Sequence, residues 1–383
     1  MKIVMTGGGS GGHITPILAV AHEVKILDPD GVIFYIGQKG DGLADIPASD
    51  PNITDVFVVS AGKFRRYHGQ GIKQLFDIKT MALNVRDLFR IVAGIWQSWR
   101  LLGKLRPDII FTRGGYVSVP VALAGKLRGI PYITHDSDSI PSLANRIIAR
   151  WARLHAVALP KDVYPYPAAK TTTVGVPVSS AYHPVSASQR AAIMKELRFS
   201  GLYEQVLLVT GGGNGAGGLN EVIVANSAFL LKKFPKLVVV HVAGRSLEKS
   251  TAAAYKTVLS AEHAGRVIVK GFTTDLHKYS AVANVVIARG GATNLAEFAL
   301  QAKACLIIPS PQLVWNIKNT QTLADRGALL SLTQVQAEQE LRVANTISDL
   351  LLDEKKQQAL GAKLAKFAHP HAARELAMVL LNQ

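Results

Sequence analysis

The chain has 383 residues, of which 48% are hydrophobic and 18% charged, and it contains one cysteine. Its mean hydropathy is +0.19. These values predict a folded protein of two domains and exclude a disordered chain, a disulfide scaffold and a cysteine-based metal site. The net charge of +16 predicts anionic partners, namely nucleic acid, anionic lipid or a phosphorylated substrate. No apolar run reaches the ~18 residues of a membrane span, and we expect no secretory signal at the N-terminus.

Short apolar, β-branched runs alternate with helical patterns along the chain. We predict strands at 3–6, 32–36, 56–59, 108–112, 132–135, 154–158 and 172–174, and then at 205–210, 237–242, 267–269, 285–288 and 304–309. This alternation is typical of parallel, doubly wound α/β sheets. The last segment, 355–383, predicts a helix that is broken near His369-Pro370-His371.

The chain also repeats itself. Ile3-Val4-Met5-Thr6-Gly7-Gly8-Gly9-Ser10-Gly11 returns as Leu207-Leu208-Val209-Thr210-Gly211-Gly212-Gly213-Asn214-Gly215. Each copy predicts a strand that opens into a glycine turn and then a helix. We therefore place an N-terminal Rossmann-like domain at 1–178 and a C-terminal one at 179–365. We expect the remaining residues, 366–383, to form a helix that packs back on the N-terminal domain.

Glycine-rich turns of this kind let backbone N–H groups and a helix N-terminus approach a phosphate. A third such turn is predicted at Gly114-Gly115-Tyr116-Val117-Ser118. Three turns favour two phosphate-bearing substrates over tight packing turns without a ligand. NAD or FAD binding is disfavoured, because neither second strand ends in the acid that holds a ribose. No Gly-x-x-x-x-Gly-Lys-Ser/Thr sequence is present, which excludes a P-loop.

Several polar side chains are candidates for chemistry. His13 begins the first predicted helix, where the helix dipole favours a neutral imidazole, so it is a candidate general base or a capping histidine. The run His135-Asp136-Ser137-Asp138 follows a strand and suits hydrogen bonds to sugar hydroxyls better than a metal. Arg289 also follows a strand and is placed for a phosphate. Glu297, in the next helix, can hold both hydroxyls of a ribose or can be an ordinary solvated glutamate.

Residues 61–106 carry ten Lys or Arg against two acids, mixed with aromatic and aliphatic residues. This mixture is typical of an interfacial helix on an anionic membrane. The alternative is a helix that faces the core and presents a solvated basic face. RNA binding is disfavoured, because the sequence contains no recognised nucleic-acid motif.

Three motifs together resemble the MurG family of glycosyltransferases, and the resemblance covers nearly the whole chain. They are Thr6-Gly7-Gly8-Gly9-Ser10-Gly11-Gly12-His13 with Pro16, Ala61-Gly62-Lys63-Phe64-Arg65-Arg66, and Arg113-Gly114-Gly115-Tyr116-Val117-Ser118 with Pro120. The family moves N-acetylglucosamine from UDP-GlcNAc to the 4-hydroxyl of MurNAc in undecaprenyl-diphosphate-linked muramyl peptide (lipid I). The product, lipid II, serves peptidoglycan synthesis, cell wall biogenesis, cell shape and cell division.

The resemblance implies a GT-B fold, in which two doubly wound Rossmann-like domains face a cleft and the C-terminal one holds most of the donor. It implies an inverting hexosyltransferase that needs no cofactor or metal. The implied partners are UDP-GlcNAc, lipid I and the anionic inner leaflet, without nucleic acid. The implied location is peripheral, at the cytoplasmic face of the cell membrane.

The resemblance also assigns site residues. It implies catalytic roles for His13 and Asp138, and acceptor contacts for Gly8, Gly9, Gly114, Gly115 and Tyr116. The implied donor contacts are Ser10, Gly11, Gly12, Gly212, Gly213, Asn214, Gly215, Thr273, Arg289, Ala292, Thr293, Asn294, Glu297 and Asn316. The implied membrane contacts are Phe64, Arg65, Arg66, Phe76, Phe89, Arg90 and Trp96.

Four positions depart from the family pattern. Asp138 replaces an asparagine, Ser179 an arginine, Gly213 a serine and Asn316 a glutamine. All four fall around the donor, so a related transferase that uses another UDP-sugar or another lipid acceptor is the first alternative. A non-catalytic, membrane-associated homologue that binds UDP without turnover is the second.

Overall fold

The computed structural model describes residues 1–7, 11–40, 45–63, 78–212 and 215–383, and at 11–13 and 78–79 it describes the backbone alone. The chain divides into two units. The N-terminal unit comprises residues 1–177 and 371–383, and the C-terminal unit comprises residues 178–370. Each unit contains one parallel sheet with helices, which confirms the predicted pair of doubly wound Rossmann-like folds.

The N-terminal unit has a seven-stranded sheet in the order β3-β2-β1-β4-β5-β6-β7. Its strands are β1 (Lys2–Thr6), β2 (Val32–Gln38), β3 (Asp55–Val59), β4 (Ile109–Thr112), β5 (Tyr132–Asp136), β6 (Leu154–Val157) and β7 (Thr171–Thr173). Its helices are α1 (Gly11–Leu27), α2 (Asp45–Ala48), α3 (Ile78–Leu105), α4 (Ser118–Leu127) and α5 (Leu143–Ile148).

Side-chain alternation along these strands builds two cores, one on each face of the sheet. Ile3 and Met5 of β1 pack into the layer that contains α1, whereas Val4 between them packs into the layer that contains α3 and α4. This follows from the two-residue period of a strand. Helix α16 (Ala372–Leu381) completes the first layer through Leu376 and Leu380, which are fully buried against α1 and the sheet.

The C-terminal unit has a six-stranded sheet in the order β10-β9-β8-β11-β12-β13. Its strands are β8 (Gln205–Thr210), β9 (Leu237–Val242), β10 (Val267–Lys270), β11 (Val285–Ala288), β12 (Ala304–Ile307) and β13 (Leu330–Ser331). Its helices are α6 (Ala187–Glu196), α7 (Gly217–Lys233), α8 (Glu248–Val258), α9 (Ala261–Ala264), α10 (Leu276–Val282), α11 (Ala292–Leu300), α12 (Val314–Ala324), α13 (Gln334–Ala337), α14 (Arg342–Leu352) and α15 (Glu354–Ala365).

Both sheets reverse their winding direction at one point. In the N-terminal unit the chain runs outward from β1 to β3 and then returns to place β4 on the other side of β1. In the C-terminal unit β8 and β11 are the equivalent neighbours. Ligands of open α/β sheets bind outside the carboxyl ends of the strands at such switch points. Ligand-binding sites are therefore expected at the loops that follow β1, β4, β8 and β11.

The structure contains all twelve predicted strands, with ends within two residues of the predicted ones. The predicted break near His369 separates α15 from α16. Strand β13 has only two residues and was not predicted, because so short a run carries no alternation signal.

Candidate active site

The loop after β8 forms one wall of the site in the C-terminal unit. Gly212 and Gly215 adopt φ values of +82° and +75°, a region that disfavours residues with a Cβ. The amide of Gly212 donates to Thr210 Oγ1 at 3.2 Å. A Cβ on Gly215 would lie 2.2 Å from the carbonyl oxygen of Ala243, so this glycine is also required for packing. The predicted donor residues Gly213 and Asn214 lie outside the described residues.

The first turn of α11 lies beside this loop. A Cβ on Gly212 would be 3.7 Å from Asn294 Oδ1, which shows how closely the two segments approach. Ala292, Thr293 and Asn294 form this first turn, and Gly291 precedes it. A Cβ on Gly291 would meet no described atom within 4 Å. Since the first N–H groups of a helix have no partner within the helix, this open turn can receive an anion.

Arg289 supplies a positive charge at the same edge. Its Nη1 donates to the carbonyl oxygen of Ile308 at 2.9 Å and to Gln334 Oε1 at 2.8 Å. Its Nη2 lies 3.5 Å from the position that a Cβ would take on Gly218, at the beginning of α7. Burial lowers the pKa of Arg289, which means that the protein holds this cation away from water. Two helix N-termini and a fixed guanidinium thus converge, as a diphosphate requires.

Glu297 lies one turn further along α11. Asn294 Nδ2 donates to Glu297 Oε2 at 2.8 Å, and the hydroxyl of Tyr182 hydrogen-bonds to the same carboxylate. Burial raises the pKa of Glu297 to about 7, although both hydrogen bonds oppose the rise. A carboxylate held by two donors in this way keeps lone pairs free for the two hydroxyls of a ribose.

Tyr182 was missed by the sequence reasoning. It follows the junction of the two units and packs its ring edge-on against His277, with 6.1 Å between ring centroids. Burial and the neighbouring Glu297 raise the pKa of Tyr182, so its hydroxyl stays protonated and donates. No sequence pattern marks this tyrosine, because its partner comes from a distant segment of the chain.

The remaining predicted donor residues surround this centre. Thr273 Oγ1 accepts the amide of Asp275 at 3.0 Å in the loop after β10. Beside it, the guanidinium of Arg245 stacks on the exposed ring of Phe272 at 4.0 Å. Asn316 is 5% exposed, and its backbone packs against Gly290, where a Cβ would be 2.5 Å from the Asn316 carbonyl oxygen. The burial of Asn316 limits how far its amide can extend toward a sugar.

In the N-terminal unit, the loop after β4 has the same construction. Gly114 and Gly115 have φ values of +81° and +84°, and the amide of Gly114 donates to Thr112 Oγ1 at 3.1 Å. Ser118, the first residue of α4, donates through Oγ to the carbonyl oxygen of Gly114 at 2.5 Å. The predicted acceptor residue Tyr116 is half-buried, with Lys63 Nζ 5.5 Å from the centre of its ring.

The polar side chains at the carboxyl end of β5 are largely buried. His135 is 1% exposed, and its Nε2 is 2.9 Å from the carbonyl oxygen of Gly175. Asp136 accepts from Tyr166 at 2.7 Å and from Asn145 at 2.9 Å, and burial raises its pKa to about 6. Both residues are thus buried and hydrogen-bonded within the N-terminal unit, and their contact with a sugar stays a prediction. Asp138, which is half-buried, keeps its candidate role.

Several predicted residues lie wholly or partly outside the described part of the chain. Gly8, Gly9, Ser10, Phe64, Arg65, Arg66 and Phe76 lie outside the described residues. Gly11, Gly12 and His13 form the first turn of α1, of which the backbone alone is described. The position of His13 at a helix N-terminus therefore matches the sequence prediction, whereas its side chain remains undescribed.

Helix α3 presents an apolar stripe to solvent. Met81, Val85, Leu88, Phe89, Val92, Trp96 and Trp99 are 43–71% exposed. Their spacing of three, four and seven places them on one face of the helix. The only acid in α3 is Asp87, which is buried and paired with Arg86 at 3.1 Å and Arg90 at 3.3 Å. The outer surface of α3 is therefore apolar with basic flanks. We call these seven residues the α3 stripe.

The described ranges contain neither a candidate metal cluster nor a candidate membrane-spanning helix. No group of three or more His, Cys, Asp or Glu side chains there is arranged to hold a metal ion. Among the helices of these ranges, none is long and apolar enough to cross a membrane.

The chain resembles known proteins over nearly its whole length. Residues 3–157 match the glycosyltransferase family 28 N-terminal domain, and residues 206–376 match the family 28 C-terminal domain. A protein of Bacillus cytotoxicus is 30% identical over 383 residues, covering 99% of this chain and 98% of its own. A protein of Natranaerobius thermophilus is 28% identical over 384 residues, covering 99% of each chain. Both are named UDP-N-acetylglucosamine--N-acetylmuramyl-(pentapeptide) pyrophosphoryl-undecaprenol N-acetylglucosamine transferase.

Solved structures share the fold. The crystal structure of Acinetobacter baumannii MurG has a TM-score of 0.74 at 21% identity and covers 100% of this chain and 99% of that one. UDP-GlcNAc 2-epimerase from Neisseria meningitidis, solved with UDP-GlcNAc bound, has a TM-score of 0.65 at 12% identity, with both chains fully covered.

The two Rossmann-like units, the two family-model matches and the named full-length relatives together define a GT-B glycosyltransferase that uses a UDP-sugar. This class comprises many families. The chain belongs to glycosyltransferase family 28.

Proposed function

We propose that this enzyme transfers N-acetylglucosamine from UDP-GlcNAc to the 4-hydroxyl of MurNAc in undecaprenyl-diphosphate-linked muramyl peptide, with inversion and without a metal. The product is lipid II, a precursor of peptidoglycan. The C-terminal unit binds the donor and the N-terminal unit binds the acceptor, at the cytoplasmic face of the cell membrane. The observation that carries the proposal is the Arg289, Asn294 and Glu297 cluster at the β8/β11 switch point, in a chain whose full-length relatives bear the name of this reaction.

The donor cluster suits a nucleoside diphosphate. Arg289 and the open first turn of α11 offer N–H donors to a diphosphate, and Glu297 accepts from the ribose. Phe272, stacked with Arg245, gives an exposed ring beside Thr273, one of the implied donor contacts. These groups stabilise the negative charge of the leaving UDP, which helix N-termini and a guanidinium can do without a cation.

The reaction is a single displacement. The acceptor hydroxyl attacks the anomeric carbon while the bond to UDP breaks, and positive charge spreads over the sugar ring as negative charge grows on the diphosphate. A general base takes the proton of the hydroxyl. His13 is proposed for this role, because its backbone lies in the first turn of α1, as the resemblance implies, and a neutral imidazole can accept a proton.

The α3 stripe supports the membrane part of the proposal. Seven exposed apolar side chains lie on one face of a 28-residue helix, and Arg90, Arg100 and Lys104 are exposed beside them. Arg100 stacks on Trp96 at 4.9 Å, which joins the apolar and cationic parts of the surface. An amphipathic helix of this kind lies in the interface of an anionic bilayer.

A second candidate is a related transferase that uses another UDP-sugar. The observation that favours it is the burial of Asn316, the shortened residue at the position expected to contact the sugar. Asp138, Ser179 and Gly213 also differ from the family pattern.

The first experiment measures transfer from radiolabelled UDP-GlcNAc, UDP-Glc, UDP-Gal and UDP-GalNAc to a short-chain lipid I analogue, with and without EDTA. Transfer of GlcNAc alone, at the same rate in EDTA, is the expected result. Preference for another sugar selects the second candidate. UDP binding without any transfer refutes both and identifies a non-catalytic homologue.

The second experiment measures sedimentation with phosphatidylglycerol and phosphatidylcholine vesicles. The double variant Phe89→Ser, Trp96→Ser removes two side chains worth ~1.5–3 kcal/mol each when buried, so binding to anionic vesicles should fall at least tenfold. The matched control is Val335→Ser in the C-terminal unit, where Val335 is 73% exposed. Unchanged binding of the double variant contradicts the membrane role of the α3 stripe.

A further inference from the structure

Arg113 is a buried arginine that the proposed mechanism does not yet use. It follows β4 directly and is 5% exposed. A guanidinium has five N–H groups. Nη2 donates to Ser137 Oγ, but Nε and Nη1, which carry three of the five, have no hydrogen-bond partner among the described residues. Buried charged donors are normally satisfied, so this side chain indicates a ligand.

The position of Arg113 is the switch point of the N-terminal sheet. Its amide donates to the Thr6 carbonyl oxygen at 3.1 Å, and a Cβ on Gly7 would lie 3.6 Å from Arg113 Cβ. On its other side, Gly114 and Gly115 begin the loop that leads into α4. The arginine therefore lies between the beginnings of the two glycine loops of this unit.

The C-terminal unit repeats this arrangement. Thr6 pairs with Thr112 across β1 and β4, and Thr210 pairs with Ala288 across β8 and β11. The residue that follows the second strand of each pair is an arginine, and in both cases two glycines come next: Arg113-Gly114-Gly115 and Arg289-Gly290-Gly291. Arg113 thus occupies in the acceptor unit the place that Arg289 occupies in the donor unit.

Nearby acids leave the guanidinium available. The Asp136 carboxylate is already bonded by Tyr166, Asn145 and the amide of Ser142. Asp138 acts on Arg113 through its charge, and burial lowers the pKa of Arg113 to about 10, well above neutral pH. The side chain is therefore a cation under physiological conditions, and its planar fork matches two phosphate oxygens.

We propose that Arg113 binds a phosphate of the acceptor's diphosphate, as the acceptor-side counterpart of Arg289. This inference rests on the proposed assignment of the acceptor to the N-terminal unit. The diphosphate that links the muramyl peptide to its lipid is then neutralised by a side chain as well as by backbone N–H groups.

The test compares the affinities of farnesyl diphosphate and farnesyl monophosphate by isothermal titration calorimetry. Both probes have the same tail, so the ratio of their affinities isolates the second phosphate. Wild-type protein should prefer the diphosphate at least tenfold. Arg113→Met should reduce that preference to a few-fold and lower the affinity for farnesyl diphosphate roughly 10- to 100-fold, while the affinity for UDP stays unchanged. Arg113→Lys keeps the positive charge but lacks the planar guanidinium. Its diphosphate preference should lie between those of the wild type and Arg113→Met.

Two controls make the result specific. Arg289→Met should lower the affinity for UDP and leave the preference for farnesyl diphosphate over farnesyl monophosphate intact. This is the reverse of the result expected for Arg113→Met. Arg150→Met removes the same charge from an exposed site in the N-terminal unit and should change neither affinity. Circular dichroism confirms that each variant is folded.

Two outcomes overturn the proposal. One is a wild-type protein that binds both probes equally. The other is a folded Arg113→Met variant that keeps the diphosphate preference and loses only kcat, which would make Arg113 a positioning residue for Ser137 and Asp138. The transfer assay with lipid I tests the proposed function separately. Wild-type protein that transfers the sugar but shows no diphosphate preference would refute the role of Arg113 and leave the proposed function intact.

Discussion

Glu297→Gln should stabilise the C-terminal unit at alkaline pH while lowering its affinity for UDP. The carboxylate sits in a pocket where burial raises its pKa from an ordinary value of 4.5 to about 7. The folded state therefore binds the Glu297 proton more tightly than the unfolded state does. The stability that comes from a neutral Glu297 is fully present below pH 4.5 and is lost as the pH rises through 7.

The magnitude follows from the shift. Each pKa unit corresponds to 1.36 kcal/mol, so a rise from 4.5 to about 7 costs the ionised enzyme about 3 kcal/mol at pH 8. A glutamine keeps the shape and an oxygen that accepts from Tyr182, but it carries no charge to desolvate. For a unit of this size, 1 kcal/mol moves the melting temperature by roughly 2–4 °C. We therefore expect Glu297→Gln to melt about 6–12 °C higher at pH 8 and near the wild-type temperature at pH 4.5.

The functional effect has the opposite sign. Replacing the carboxylate weakens charge-assisted hydrogen bonds to the ribose hydroxyls, each worth about 1.5–3 kcal/mol, so UDP affinity at pH 8 should fall roughly 10- to 100-fold.

The assay pairs differential scanning calorimetry across pH 4.5–8 with titration of UDP. Glu340→Gln, which removes the same charge from an exposed position in the C-terminal unit, is the matched control. A lower melting temperature for Glu297→Gln at pH 8 refutes the desolvation argument. Unchanged UDP affinity refutes the ribose assignment.

Three further predictions concern single residues. Gly291→Ala adds a methyl group in open space, so stability should stay unchanged while UDP affinity falls about tenfold, whereas Gly215→Ala meets the Ala243 carbonyl oxygen at 2.2 Å and should lower the melting temperature. Asp138→Asn keeps an oxygen acceptor, so kcat should stay within a few-fold; a loss of about 100-fold or more would instead assign Asp138 as the general base. Cys305 is fully buried and burial raises its pKa to about 12, so Ellman's reagent should label it only on unfolding, and rapid labelling of native enzyme would contradict that burial.

The strands, the glycine loops and the fold class could all be predicted from the amino-acid sequence. These features are local: a β-branched run, a glycine where φ is positive, and a two-residue or 3.6-residue period are each readable within a short window. The glycines at 114, 115, 212 and 215 all adopt positive φ, as turns between a strand and a helix require. The internal repeat also identified β8 as the strand that opens the C-terminal unit's site.

The side chains that complete the site could not be identified before the segments of the chain were seen packed together. Tyr182 reaches Glu297, and α16 covers α1, through contacts between segments far apart in the chain. The sequence placed His135 and Asp136 at the edge of the sheet but could not show that Gly175, Tyr166 and Asn145 already occupy them. The sequence also could not show whether the apolar residues of α3 face solvent or the core. The pattern of apolar and basic residues along the helix is the same in both cases. Burial and partnership depend on which surfaces meet in the fold, and local sequence does not encode that.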